Sequence, residues 1–237
     1  MENGWAESAA AWIAEMGETG DGSRRFILDP PMLALAEAAR PGGALDVGCG
    51  EGRFCRLLRA RGIDTIGIDP TDALLEEARR RDPGGAYQAG RAEALGFPDG
   101  AFDLVVSYLT LIDIPDAAAA IAEMVRVLAP GGTLLIANLA PHVTAAGPDG
   151  WTRDPDGTPR FCIDHYLRER AHWAAWRGIR VRNWHRPLAT YMALLLGQGL
   201  VLRHFEEPAP RGGDPGWQER ARRVPWFVVM AWQKPGA

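Results

Sequence analysis

The amino-acid sequence predicts an α/β fold built around a mostly parallel sheet. Two observations predict it. Between residues 44 and 139, short apolar segments alternate with stretches of helical spacing. That is the pattern of right-handed βαβ units. The first of these segments, ALDV, runs directly into the turn GCGEG, where a buried strand hands over to a helix. The chain has 237 residues, 47% apolar and 24% charged. That is enough to bury the core of one large globular domain, and it excludes intrinsic disorder and repeat architectures.

The elements follow in order. Residues 1–40 read as helical, with Pro30 and Pro31 opening a second helix that Pro41-Gly42-Gly43 ends. ALDVG (44–48) is a strand, 51–61 a helix, IDTIGI (63–68) a strand and 71–81 a helix. AYQAG (86–90) and FDLVVS (102–107) are strands. Residues 116–129 form a helix stopped by Pro130-Gly131-Gly132, and TLLIANL (133–139) is the next strand. Residues 141–186 break the alternation with aromatics, histidines and turn residues, and read as an insertion over the sheet. Residues 187–199 form a helix. The segments 201–208 and 225–234 are two last strands, joined by a polar loop and therefore expected to be antiparallel. This divides one domain (1–237) into a helical lid (1–40), a core (41–140), a cap insertion (141–186) and a final helix with strands (187–237).

Charge and aromatic content are unevenly placed. Residues 1–150 carry 12 basic and 22 acidic groups, whereas 151–237 carry 14 and 8. All five histidines lie after residue 141, and seven of nine tryptophans lie after residue 150. The overall net charge of −4 argues against a polycation that coats nucleic acid. Lys234 is the only lysine, which excludes Schiff-base chemistry and a P-loop lysine. Cys49, Cys55 and Cys162 have no metal-site spacing, and the histidines form no H-x-H or H-x-x-x-H set, so no metal is expected. The opening MENGWAESAAAWIAEMG lacks the features of an export signal, and no apolar run approaches a membrane span. The expectation is a cytoplasmic protein, monomer or homodimer, without membrane or nucleic-acid partners.

The strongest local signal is Leu45-Asp46-Val47-Gly48-Cys49-Gly50-Glu51-Gly52-Arg53. Its glycines let a ligand approach backbone N–H groups at a helix N-terminus. The dinucleotide fingerprint fails, because Arg53 stands where a third glycine is needed. Asp46 would repel a pyrophosphate but suits a ligand carrying an ammonium and a sulfonium. A second acid, Asp69, ends the next strand 19 residues beyond Gly50, where a carboxylate can take both hydroxyls of a ribose. Arg91-Ala92-Glu93 follows the third strand, in place to line an adenine slot.

In this order, LDVGCGEG, GID, AEALGFPDGAFDLVVS and EMVRVLAPGGTLLI resemble the class I S-adenosylmethionine-dependent methyltransferases, closest to their small-molecule group. Gly96 is a departure, standing where the family usually has proline. The resemblance implies a Rossmann-like seven-stranded sheet with an antiparallel final strand and helices on both faces. It implies S-adenosyl-L-methionine as cofactor and S-adenosyl-L-homocysteine as product. Asp46 and Gly48 would face the methionine end, with Cys49 beside them, while Gly50 and Gly52 would make room. Asp69, with Pro70, would take the ribose; Ala92 and Glu93 would flank the adenine; Ser107 and Tyr108 would sit beside the sulfonium.

Methyl transfer asks an enzyme chiefly to align and desolvate the acceptor, with a base where the acceptor is a weak acid. The core half has no histidine, so a base is sought in the cap. His185, in Trp184-His185-Arg186-Pro187-Leu188, is the leading candidate, and Tyr191 lies on the same segment. The alternative for His185 is a capping or structural histidine. Tyr108 is the third catalytic candidate, with plain packing as its alternative. His165, Tyr166, Trp184 and, on the lid, Trp12 and Arg25 are expected to meet the acceptor, with Arg24 an alternative to Arg25. The basic cap suggests an anionic or aromatic small molecule. The expected reaction is methyl transfer to that molecule, with oxygen favoured over nitrogen or sulfur. The alternatives are an RNA or protein methyltransferase, and a non-catalytic cofactor-binding partner subunit.

Overall fold

A computed structural model describes residues 3–146 and 150–236. Helix α1 (Trp5–Met16) opens the chain, and a π-helical turn (Arg24–Leu28) leads into α2 (Asp29–Ala39). Then come β1 (Ala44–Val47), α3 (Arg53–Arg59), β2 (Thr65–Asp69), α4 (Asp72–Arg81), β3 (Ala86–Ala89), β4 (Phe102–Tyr108), α5 (Ala117–Val127) and β5 (Leu128–Leu139). The cap follows as α6 (Pro141–Ala146), β6 (Trp151–Arg153), β7 (Pro159–Phe161), β8 (Arg170–Trp176) and β9 (Ile179–His185). The chain closes with α7 (Leu188–Gly197), β10 (Val201–Glu206), α8 (Pro215–Arg223) and β11 (Phe227–Gln233).

Seven strands form one sheet in the order β10-β11-β5-β4-β1-β2-β3. β11 runs antiparallel to both β5 and β10, and the remaining neighbours are parallel. The twofold alternation of strand side chains builds two apolar layers from one sheet. On one face Leu45, Val105, Ile136 and Trp232 pack against α5 and α7. On the other, Leu104, Val106, Leu135 and Val229 pack against α2 and α3. Buried on both faces, inner strands such as β1, β4 and β11 read as continuous apolar runs, and that is why they are visible in the sequence. Among the described residues no helix is long and apolar enough to cross a membrane.

Two features differ from expectation. The segment between the last two strands is not a loop: α8 lies in it, begun by Asp214, whose carboxylate accepts from the Trp217 N–H at 2.9 Å, with Pro215 in its first turn. An aspartate followed by proline is a helix-start signal. The strands pair antiparallel as expected, but a helix does connect them. The cap, in turn, is mainly β-structure: the hairpins β6–β7 and β8–β9 stand apart from the main sheet. Arg177 (φ 45°) and Gly178 (φ 82°) make the tight turn of the second, the two positive φ values that a twisted two-residue hairpin requires.

The cap is tied to the core at one loop. Arg186 is 4% exposed. Its guanidinium donates to the carbonyls of Leu111 (3.1 Å), Ile114 (2.7 Å) and Pro115 (2.7 Å), while the Trp184 N–H donates to the carbonyl of Ile112 at 2.6 Å. Arg186→Ala strands these buried carbonyls. It should cost about 2–4 kcal/mol of stability in urea unfolding; a loss under about 0.5 kcal/mol would contradict the clamp.

Candidate active site

The carboxyl ends of β1, β2, β3 and β4 open into one cleft of about 940 Å³. That is the upper end of the usual range for ligand pockets, roughly 300–1,000 Å³, and the place where open α/β sheets bind ligands. Its floor is the turn after β1. Gly48 has φ +77°, and a Cβ there would run into the Thr110 side chain, so no other residue fits.

Asp46 points into the cleft from β1 and is 1% exposed. One oxygen accepts from the Cys55 thiol at 3.3 Å; the other, Oδ1, has no partner among the described residues. Burial, only partly offset by the Cys55 bond, pushes its pKa up to about 7. Asp69 ends β2, its two oxygens accepting from the Gly50 N–H (3.0 Å) and the Thr71 N–H (2.8 Å). Burial raises its pKa as well, against these two backbone bonds. Cys49, Gly50, Glu51, Pro70, Ala92 and Glu93 line the same end.

The cleft is roofed by the lid and the cap. On α1, Trp12 donates to Glu51 at 2.9 Å and stacks edge-on against Trp5. The Arg24 guanidinium lies 4.7 Å over the Trp12 ring. The Ser8 hydroxyl bonds the Arg180 backbone at 3.1 and 2.9 Å, fastening α1 to β9. Asp113, on the loop after β4, accepts from Asn183 Nδ2 of β9 at 2.5 Å, and Trp5 of α1 stands near enough to lower its pKa. Phe26, Trp176, Trp217 and Trp226 supply aromatic wall.

Several expected residues stand elsewhere. Gly52 does not line the cleft; a Cβ there would meet the Tyr87 ring at 2.6 Å, so its smallness serves packing under α3. Ser107 is fully buried within the sheet, its hydroxyl without a partner among the described residues. Tyr108 does line the cleft, but its hydroxyl donates to Asp29 at 2.9 Å and its ring stacks on Phe54. His185 is 0% exposed and both ring nitrogens are engaged, Nδ1 by the Thr144 hydroxyl at 2.7 Å and Nε2 by the Tyr166 carbonyl at 2.8 Å. Burial, the largest influence on it, lowers its pKa and holds it neutral. It is the structural histidine of the two alternatives. Tyr191 lies in the core under the sheet.

Trp184 and Arg182 fall on the face of β9 opposite Val181 and Asn183, because strand side chains alternate; Val181 and Asn183 face the cleft. His165 is exposed and Tyr166 caps α7 through its hydroxyl, which accepts from the Leu188 N–H. Arg25 stacks over Phe26 and turns away, since neighbours on a helical turn cannot share a face; Arg24 takes the inward position. Among the later tryptophans, Trp176, Trp217 and Trp226 reach the cleft. The sequence reading missed Asp113, Asn183, Thr110 and Glu51. Among the described residues no cluster of His, Cys, Asp or Glu could hold a metal ion.

Comparison with known proteins agrees with this geometry. Residues 45–136 match the family model described as a methyltransferase domain. The chain is 37% identical over 107 residues to the malonyl-[acyl-carrier protein] O-methyltransferase of Serratia marcescens, covering 45% of this chain and 42% of that one. It is 34% identical over 137 residues to the demethylmenaquinone methyltransferase of Beutenbergia cavernae, covering 52% and 57%. The chain thus spans about half the length of these curated relatives. The crystal structure of an S-adenosylmethionine-dependent methyltransferase from Mesorhizobium loti superposes with a TM-score of 0.79 at 27% identity, covering 92% of this chain and all of that one.

The half-satisfied Asp46 makes a prediction of its own. A carboxyl that keeps its proton to about pH 7 in the folded state, against 3.8 ordinarily, contributes stability at low pH that is lost as pH rises through that window. Asp46→Asn should therefore flatten the fall in unfolding free energy between pH 4 and 7 by about one proton's worth of slope. Denaturant titrations across pH check it; an unchanged slope would contradict it.

Proposed function

Because the chain belongs to the class I S-adenosylmethionine-dependent methyltransferases, we propose that it transfers a methyl group from S-adenosylmethionine to a small-molecule acceptor, at oxygen in preference to nitrogen or sulfur. The observation that carries the reading is the buried Oδ1 of Asp46, unpartnered among the described residues, on a residue that lines the cleft. A buried carboxylate oxygen without a donor costs several kcal/mol, and an ammonium group at the methionine end supplies the missing donor. Asp69 keeps lone pairs for ribose hydroxyls after its two backbone bonds. The acids Asp46, Glu51 and Asp69 together suit a ligand with two positive charges. Ala92 and Glu93 stand where the adenine would lie.

When bound, the cofactor supplies an activated methyl group; the protein's part is to hold, align and dry the acceptor. Trp5 and Trp12 from the lid, with Trp176 from the cap, supply the apolar cover for that drying. Oxygen as the methylated atom is supported by the Serratia relative, whose name specifies an O-methyl transfer. A small acceptor is supported by an aromatic-walled cleft whose described arginines, Arg24, Arg53, Arg91 and Arg177, are each paired with a carboxylate.

Calorimetric titration of S-adenosylmethionine tests the reading. The protein should bind, and Asp69→Ala should weaken binding about 10- to 100-fold, the loss of hydrogen bonds to a charged group. Absence of binding, or equal affinity in the variant, would contradict it. Incubating the protein with methyl-labelled cofactor and a metabolite extract should then show one class of small molecule gaining a methyl.

A further inference from the structure

We propose that Asp113 is the proton acceptor of this cleft, and that the molecule methylated is an uncharged hydroxylated arene rather than a carboxylate. The inference rests on the methyltransferase reading above. Its starting point is a juxtaposition of parts distant in sequence. Asp113 stands on the loop after β4, accepts from Asn183 on β9 at 2.5 Å, and shares the cleft wall with Trp5 of α1. Core, cap and lid therefore converge on one carboxylate, and the loop that bears it is the one clamped by Arg186. The other acids at the floor, Asp46, Glu51 and Asp69, belong to the cofactor end.

The other candidates for proton removal are occupied or stand outside the cleft; Tyr191, whose hydroxyl has no partner among the described residues, lies in the core and not on the cleft wall. His185 lies outside the cleft with both nitrogens bonded, and the Tyr108 hydroxyl is held by Asp29. Burial pushes the Asp113 pKa up to about 8, while the nearby charges act in opposite senses: Asp69 raises it and Arg24, itself paired with Asp21, lowers it. Its immediate partners, Asn183 and Trp5, are neutral. A carboxylate in that range matches the proton affinity of a base working near neutrality.

Charge selects the acceptor class. Four arginines line the cleft, and each stands in an ion pair: Arg24 with Asp21, Arg53 with Asp29, Arg91 with Glu93 and Arg177 with Glu15. An acceptor carboxylate would have to break one of these pairs and face Asp113. An aromatic ring, by contrast, finds Phe26, Trp176, Trp217 and Trp226 on the walls. The chemistry agrees. Methylating a hydroxyl forms one C–O bond and breaks the S–CH3 bond, whose electron pair stays on sulfur. The hydroxyl proton passes to the Asp113 carboxylate and then to water. A carboxylate acceptor carries no such proton and needs no base.

The test uses the intact protein with labelled cofactor and a panel of alkylphenols and matching alkylbenzoates. Phenols should be methylated and should bind the S-adenosylhomocysteine complex more tightly than the benzoates. Asp113→Asn should slow phenol methylation by about 100-fold or more and erase the rise in kcat/KM with pH below about 8. It should leave S-adenosylhomocysteine affinity within about twofold. With 4-nitrophenol, already ionised near pH 8, the variant should match or exceed the parent protein, because no proton has to be removed. Phenol rates within threefold in the variant, an equal loss with both phenols, or preferential binding of benzoates would overturn the proposal. So would a protein that binds S-adenosylhomocysteine but neither binds nor methylates any phenol. Failure to bind S-adenosylhomocysteine at all would instead count against the methyltransferase reading.

Discussion

The structure depends on one buried carboxylate near the end of an inner strand, β1. β1 is hydrogen-bonded on both sides, to β2 and β4, and Asp46 on it is 1% exposed. A thiol at 3.3 Å gives it a single weak donor. The protein tolerates the arrangement by letting the group hold its proton to about pH 7. It is retained, on our account, because a cationic ligand turns the liability into a strong contact. The surrounding choices follow. Gly48 cannot carry a side chain without striking Thr110, and the following N–H groups turn toward Asp69 and the backbone of β2.

A second constraint closes the cleft from above. α1, the β8–β9 hairpin and the 111–115 loop are separate in sequence but share hydrogen bonds at Ser8, Asp113, Asn183 and Arg186. Arg177 reaches from the hairpin turn to Glu15 on α1. These polar links accompany buried apolar side chains on each element, Ala9 on α1, Val181 on β9 and Ile112 on the loop.

The floor of the cleft was legible because its backbone is local. Gly48 and Gly50 sit in the turn after β1 with positive φ, and Asp46 and Asp69 stand near the carboxyl ends of β1 and β2, so short segments of sequence specify the backbone there. The upper wall of the cleft was not legible, because it is assembled across the chain. Asn183 and Asp113 are 70 residues apart, and no local pattern joins them. Within β9, one step of alternation separates Asn183, which faces the cleft, from Trp184, which does not, and the sequence contains no signal for which face is inward. His185 was chosen for its residue type; its burial between Thr144 and Tyr166 is a property of the packed cap. The α8 helix, in contrast, had a readable start at Asp214-Pro215 that the polarity of the segment obscured.

The central claim is that Asp46 is held ready for a positively charged ligand. The most direct measurement is the titration of its side-chain carboxyl carbon by nuclear magnetic resonance, in the free protein and with S-adenosylmethionine bound, using Asp46→Asn to assign the signal. The account predicts a midpoint near 7 in the free protein and a fall of at least about one to three units on binding, as an opposite charge arrives beside it. A free-state midpoint in the ordinary carboxylate range, or one that does not move when the cofactor binds, would contradict it.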